Sequence, residues 1–359
     1  MLHQSTTSLP PDYDEFLELS ARLGANFTRT QGAGGNTSIK HEGVLRVKAS
    51  GKWLANAQTD QIMVPVAVER MRQTLSTDPA RAEAVSEFVV EHLNAAKLRP
   101  SIETSFHAAI PQAVVAHFHC VNTIGLAVLE RAELLIGERM ARHVPDISWQ
   151  FVPYRRPGVP VALEILKLVG KRPDVFVLAN HGIIVAGDSV RQVAERIDRV
   201  TAALALTPRQ SGEVAHDWLK AAASGTDFRS ADDIGTHATA LCSASLEIAL
   251  GGSLYPDHVI FLGTELGVLR DGKTIPDVLK EFASRGAPGP KMLIAPGKGV
   301  LLSNKLTSGG AAMARCLADV VTRVPAGEAI SYLGDAELNK LVNWEAETYR
   351  QLIDRSTEI

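Results

Sequence analysis

A chain of 359 residues, 45% hydrophobic and 21% charged, carries enough apolar material for one large or two medium cores and needs no disulfide staples. Its formal net charge of -3 and pI near 6.4, with no run rich in Lys and Arg, exclude a general electrostatic attraction to nucleic acid or anionic membranes, so a phosphorylated ligand has to be held by a local site. Cys120, Cys242 and Cys316 are far apart and form no CxxC pair, the chain start lacks a basic segment followed by an apolar run, and no long uninterrupted apolar stretch occurs; these features predict a cytoplasmic protein with reduced thiols and argue against export and membrane insertion.

In chain order, residues 12–23 read as an amphipathic helix with Phe16, Leu19 and Leu23 on one face and Gly24 as its stop. QGAGGNTSIK, residues 31–40, is a glycine loop leading into short alternating segments around LRVKASG, which predict strands of a sheet. Residues 80–98 show a long helical pattern. A shorter helix is expected to begin at Ser101 with Glu103 in its first turn, where an acidic group is favoured. AVVAHFHC, residues 113–120, is the apolar run of a buried strand interrupted by two histidines. DVFVLANHGIIVAGD, residues 174–188, has two strand-forming runs meeting at an Asn-His-Gly turn, and a helix over 190–206 follows. This alternation predicts an α/β sandwich with helices packed on a mixed sheet.

Between 207 and 236 the pattern weakens into Pro, Ser, Gly and Asp, which predicts a domain boundary. A second, smaller α/β unit is expected over 237–359, with strands at 258–263 (HVIFLG) and 291–295 (KMLIA), then GVLLS and a helix over 311–321. VLANHGIIV and LIAPGKGVLL share the order strand, glycine turn, strand, helix. If the second unit is a degenerate copy of the first, Lys298 takes the place of His181 and the copy lacks that residue's chemistry.

Residues two apart in a strand point to one face about 7 Å apart, so His117 and His119 converge on one ion while Phe118 packs away. His181, in a tight turn between strands, is a third candidate ligand, and three neutral imidazoles leave a position open, as a catalytic rather than a structural zinc requires. Singly, each feature has a plainer reading: the histidine pair as core residues, the His-Gly turn as structural, and Glu103 as a helix-start acid worth a few tenths of a kcal/mol. Gly32, Gly34 and Gly35 let backbone approach an anion, Asn36 offers an amide, and Ser50 with Gly51 offers hydroxyl and backbone donors in a second loop. Lys52 either adds charge there or is solvated. His107, four residues after Glu103, either orients that carboxylate or packs, and Cys120 reads as a small core residue.

Four motifs, GAGGNTSIK with the following KASGKWL, SIETSFH, VVAHFHC and ANHGIIVAGD, carry a resemblance to the class II aldolase/adducin family over about residues 10–208. That family includes fuculose-phosphate and rhamnulose-phosphate aldolases, ribulose-phosphate 4-epimerase and related decarboxylases. The resemblance implies a class II aldolase-type αβα sandwich with a central mixed sheet. It makes His117, His119 and His181 ligands of one divalent metal per chain, Zn2+ first, with Mn2+, Co2+ or Fe2+ as alternatives. Glu103 becomes the acid/base. Asn36, Ser50, Gly51 and Ser101 become the phosphate site, in which Ile102 stands where several aldolases have a second serine.

The implied reaction is metal-dependent aldol cleavage or formation of a carbon-carbon bond in a sugar phosphate, the metal offsetting the charge of an enediolate and Glu103 moving the proton. A decarboxylase or 4-epimerase using the same residues, and a noncatalytic adducin-like scaffold, are the alternatives. The resemblance also implies a homo-oligomer, by analogy a tetramer. No motif identifies a second acid/base tyrosine; Tyr349 in NWEAETYRQ is the candidate. Roughly the last 150 residues resemble the extension of longer family members, around LYPDHVIFLG and LVNWEAETYRQ.

Overall fold

The structure, a computed structural model, describes residues 8–342, so Tyr349 lies outside the described residues. The chain divides into two compact units, one of residues 1–120 with 133–204 and one of 121–132 with 205–359. In the first, seven strands form one sheet in the order β3-β2-β1-β4-β7-β6-β5. They are β1 Asn36–His41, β2 Val44–Lys48, β3 Met63–Ala67, β4 Val114–Phe118, β5 Trp149–Val152, β6 Val175–Leu178 and β7 Gly182–Gly187. Every neighbouring pair is antiparallel except β5 and β6, which are parallel. The sheet is therefore mixed, and helices on both faces make the unit an αβα sandwich.

One face buries Leu45, Val47, Val66, Val115, Phe176 and Ile184 against Met71, Phe106 and Ile165 from the helical layer. Helices Tyr13–Ala25 and Val190–Ala203 cover parts of the other. With both faces covered, central β4 reads as a continuous apolar run rather than an alternating one. The first helix does not stop at Gly24. It continues to Ala25, because a side chain at Gly24 would collide with Leu54 and Ala55 and only glycine lets the helix lie against that turn.

The long helix expected over 80–98 is broken into Pro79–Ala82, Val85–Phe88 and Glu91–Leu93. Its helical propensity loses to tertiary pairing: Val89 bridges to Val66 of the edge strand, and Val90 donates its backbone N–H to Pro65 O at 2.9 Å.

The second unit has a four-stranded sheet in the order β8-β11-β10-β9, built from β8 Phe228–Ser230, β9 Gly267–Val268, β10 Met292–Ala295 and β11 Gly299–Ser303. Its core joins Leu219, Phe228, Val278, Phe282, Leu293 and Leu301. The strand expected at 258–263 is absent. His258–Leu262 forms a wide helical turn with all five residues buried. An apolar run buried on every side has no periodicity to separate strand from helix, and here Pro256 opens a helix instead.

The order and directions of β8, β11, β10 and β9 repeat those of β4, β7, β6 and β5. The numbering offset is constant: β6 begins at Val175 and β10 at Met292, while β7 begins at Gly182 and β11 at Gly299. Both hairpins close with the same bond, His181 N–H to Leu178 O at 3.2 Å and Lys298 N–H to Ala295 O at 3.0 Å. Fourteen-residue helices follow, Val190–Ala203 and Ser308–Val321. Among the described residues no helix is long and apolar enough to cross a membrane.

Candidate metal centre

His117 lies in the middle of the sheet, opposite Asn36 on β1 and Ile184 on β7. His119 follows just beyond the end of β4, and His181 occupies the turn joining β6 to β7. The turn is set by Asn180, whose φ of 51° is in the left-handed region that Asn tolerates. It is also set by Gly182: a Cβ there would fall 2.7 Å from Phe118 O and 3.3 Å from His119 Cδ2. Only glycine lets the turn press against the strand bearing the other two histidines.

The three rings are buried, with centroids 4.8, 5.0 and 5.1 Å apart. Nε2 of His117 and Nε2 of His119 are 3.2 Å apart, and one nitrogen from each ring lies within 4.8 Å of the others. Tetrahedral zinc with Zn–N bonds of about 2.0–2.1 Å places its ligand nitrogens about 3.3–3.4 Å from one another, a spacing that His117 and His119 already meet and that the full set, within 4.8 Å, approaches. His117 Nδ1–H donates to Ile183 O at 3.1 Å, which leaves the Nε2 lone pair facing the cluster.

Glu103 stands at the N-cap of helix Thr104–Ala109 and is 6% exposed. Its Oε2 is 3.5 Å from His117 Nε2 and its Oε1 is 3.5 Å from His181 Nε2. Burial raises its pKa, but His117, His181 and His119 together with the Asn36 amide outweigh that effect and hold it at about 2. The carboxylate is thus ionised at neutral pH, in the form that can accept a proton.

Asn36 is the hub behind Glu103. Its Nδ2 group donates to Glu103 Oε2 at 2.7 Å and to Ser101 Oγ at 3.1 Å, and its Oδ1 accepts from His107 Nε2–H. His107 Nδ1 in turn accepts from Ser38 Oγ–H at 2.7 Å. Burial pushes the His107 pKa well below the ordinary histidine value, with Lys40 and His117 acting in the same direction. His107 is therefore neutral, with the single tautomer that these two bonds require. It reaches the carboxylate through Asn36 rather than by packing alone.

Of the residues expected to hold phosphate, Asn36 has both amide hydrogens engaged inside the protein. Backbone pairing brings the other loop to the same place: Ser50 N–H donates to Arg99 O at 2.9 Å, Ala49 bridges to Pro100, and Ser101 N–H donates to Lys48 O at 3.1 Å. Gly51 sits in that loop with φ of 75°. Motif reading passed over Lys48. Its buried ammonium donates to Ala33 O at 2.7 Å and to Lys52 O at 2.6 Å, so it ties the glycine loop to the Ser50–Gly51 loop. The signal was present in the sequence as a lysine on an otherwise apolar strand.

The sequence profile of the class II aldolase and adducin N-terminal domain matches residues 14–207, more than half of the chain. The chain belongs to the class II aldolase and adducin family. Class II aldolases use a divalent metal, and the three histidines form a group that can bind one. Over 198 residues, 52% of its length, the chain is 25% identical to a Bacillus subtilis protein called uncharacterized oxidoreductase YuxG, of which the match spans 28%. Over 190 residues, 51% of its length, it is 26% identical to 82% of a Haemophilus influenzae 3-oxo-tetronate 4-phosphate decarboxylase. Among solved structures, the N-terminal class II aldolase domain of a conserved protein from Thermoplasma acidophilum aligns with a TM-score of 0.47 at 24% identity, over 56% of this chain and 97% of that one.

Proposed function

We propose that this protein is a metal-dependent carbon-carbon lyase of the class II aldolase type, acting on a small phosphorylated sugar. The observation that carries the reading is the placement of an ionised, buried carboxylate, Glu103, within 3.5 Å of two of three clustered imidazoles. His117, His119 and His181 would hold the divalent ion, which when bound supplies positive charge to offset the enediolate left by carbon-carbon cleavage.

The chain's own residues supply the rest. In the condensation direction Glu103 removes the proton from the carbon beside the carbonyl, and in cleavage the same group returns it. Asn36, held by His107, fixes the carboxylate oxygen that accepts its amide hydrogen and leaves the other toward His181. The Ser50 and Ser101 hydroxyls and the Gly51 backbone N–H, beside the glycine loop, are the donors offered to a phosphate, with Lys48 fixing the spacing of the two loops. The second unit reads as a degenerate copy of the first without its metal ligands, a reading supported by the constant offset of its strands.

A second reading, loss of carbon dioxide from a 3-oxo acid phosphate, is favoured by the similarity to the decarboxylase. It generates a related enolate and needs the same proton return. The metal-loaded protein is incubated with ketose 1-phosphates and, separately, with a 4-phosphorylated 3-oxo acid, following dihydroxyacetone phosphate and carbon dioxide. Aldol cleavage releases only the first. Turnover of neither substrate by protein with bound metal would overturn the lyase reading. Glu103→Gln should retain metal while losing about 100- to 10,000-fold in turnover.

A further inference from the structure

The outer half of the seven-stranded sheet carries a charge that the metal centre does not use. Arg46 on β2 pairs with Ile39 on one side and Pro65 on the other. Its side chain therefore leaves the sheet on the face opposite that of Asn36, Ser38 and His117. On this face helix Tyr13–Ala25 is fastened to β1 by the Ser20–Thr37 hydroxyl bond of 2.7 Å. Past Tyr13 and Leu17 the cover gives way to a cavity of about 440 Å³, whose lining also includes Arg46, Met63, Pro65 and Leu98.

Arg46 is 6% exposed. Among the described residues it has no ion pair, and its buried Nη1 has no hydrogen bond. The aromatic ring of Tyr13 lies beside the charge, its centroid 6.0 Å from the guanidinium carbon. Asp60 also lines the cavity but is exposed and forms no ion pair with Arg46. A guanidinium keeps its proton in a protein, so the charge is permanent, and burying it without a partner is unfavourable.

We propose that this cavity is a second small-molecule site that binds a carboxylate with a short apolar tail. The carboxylate meets the fork of Arg46, whose parallel N–H groups match a planar monoanion. The tail lies against Tyr13, Leu17, Met63 and Pro65. A phosphate dianion fits less well, because a single guanidinium leaves half its charge uncompensated and the remaining lining is largely apolar. The volume is within the range of ligand sites for small organic molecules, and the site is separate from the histidines because the sheet lies between them.

The test titrates the full-length, metal-loaded protein with hexanoate and with hexanol by calorimetry, in the wild type, Arg46→Met and Met63→Trp. Hexanoate should bind saturably at one site per chain, about tenfold or more tighter than hexanol. Arg46→Met should lose at least about tenfold in hexanoate affinity and melt no lower than the wild type, because an unpaired buried charge has been removed. Met63→Trp, which fills the cavity and leaves Arg46 in place, should also abolish binding. Hexanoate that binds equally to wild type and Arg46→Met, as a carboxylate on the metal centre would, overturns the proposal. So does the absence of saturable hexanoate binding up to ~10 mM, or an Arg46→Met protein that melts lower than the wild type.

Discussion

Asn36→Asp replaces the donor on Glu103 with an acceptor of the same shape. The Asn36 Nδ2 is 2.7 Å from Glu103 Oε2, and the His107 bond to Oδ1 holds the side chain of residue 36 in place, so the new oxygen would stand against the Glu103 carboxylate. Two like charges about 4 Å apart repel by about 4 kcal/mol at an effective dielectric near 20, which equals about 3 pKa units. The pair then shares one proton. The repulsion raises the proton affinity of the pair well above that of Glu103 alone, which stands at about 2. His107 Nε2–H still has an oxygen to meet, so the fold should persist. The assay is the pH dependence of kcat with the substrate that turns over, together with metal content. The acid limb should move up by about 3 units with metal retained. A limb within half a unit of the wild type, at equal metal content, would refute the placement of the residue 36 side chain against the carboxylate that moves the proton.

His119→Ala should weaken divalent metal binding by more than about 100-fold, since the proposed ligand set loses a direct ligand where outer partners alone are worth up to that factor; competition with a fluorescent chelator measures it, and unchanged affinity would remove His119 from the ligand set. Metal analysis of protein purified without chelators should find one divalent ion per chain, and two would contradict the account of the second unit. His258, 1% exposed, has its pKa lowered by burial from 6.5 to about 4. Because the unfolded chain takes up this proton first, the contribution is fully present above pH 6.5 and is lost as pH falls from there toward 4, reaching about 2 kcal/mol at pH 5. His258→Asn should flatten that segment of the stability curve in urea melts at pH 7.5 and pH 5, and an unchanged pH dependence would assign the loss to another group.

The parts of this protein legible in its sequence are those set by residues close together in the chain. The β6–β7 hairpin follows from Asn180 and Gly182, and the His117, His119 pair from the two-residue repeat of a strand. The hub role of Asn36 was not legible. It depends on β1 pairing with β4, strands far apart in sequence, and on helix Thr104–Ala109 bringing Glu103 and His107 to opposite ends of one amide. Sequence reading assigned that amide to a phosphate, whereas the structure engages both its hydrogens within the protein. Arg46 and Lys48 share a strand and a face, yet one charge is capped by two carbonyl groups and the other stands in a cavity. Nothing in LRVK separates them. The turn at His258–Leu262 shows the converse limit, since uniform burial erases the periodicity that distinguishes helix from strand.

In the second unit the hairpin recurs without the three histidines. With β8 paired so that Ser230 faces Leu301 as His117 faces Ile184, the positions of His117, His119 and His181 correspond to Ser230, Asp232 and Lys298. Lys298 brings a positive charge, ion-paired with Asp271 and 4.2 Å from the centroid of the Trp218 ring, to the place where a neutral nitrogen donor would be required. A buried histidine does stand near this turn, but both ring nitrogens of His237 are taken: Nδ1 accepts from Val300 N–H at 3.0 Å, and Nε2–H donates to Ala231 O at 3.0 Å. Its imidazole therefore pins the strand ends through both nitrogens, whereas in the first unit His117 does so through Nδ1–H and turns Nε2 toward His119 and Glu103. A backbone of this topology can keep its turn, register and following helix while the chemistry is lost, because the ladder depends on backbone pairing and core packing and the centre depends on which nitrogen lone pairs remain unspent.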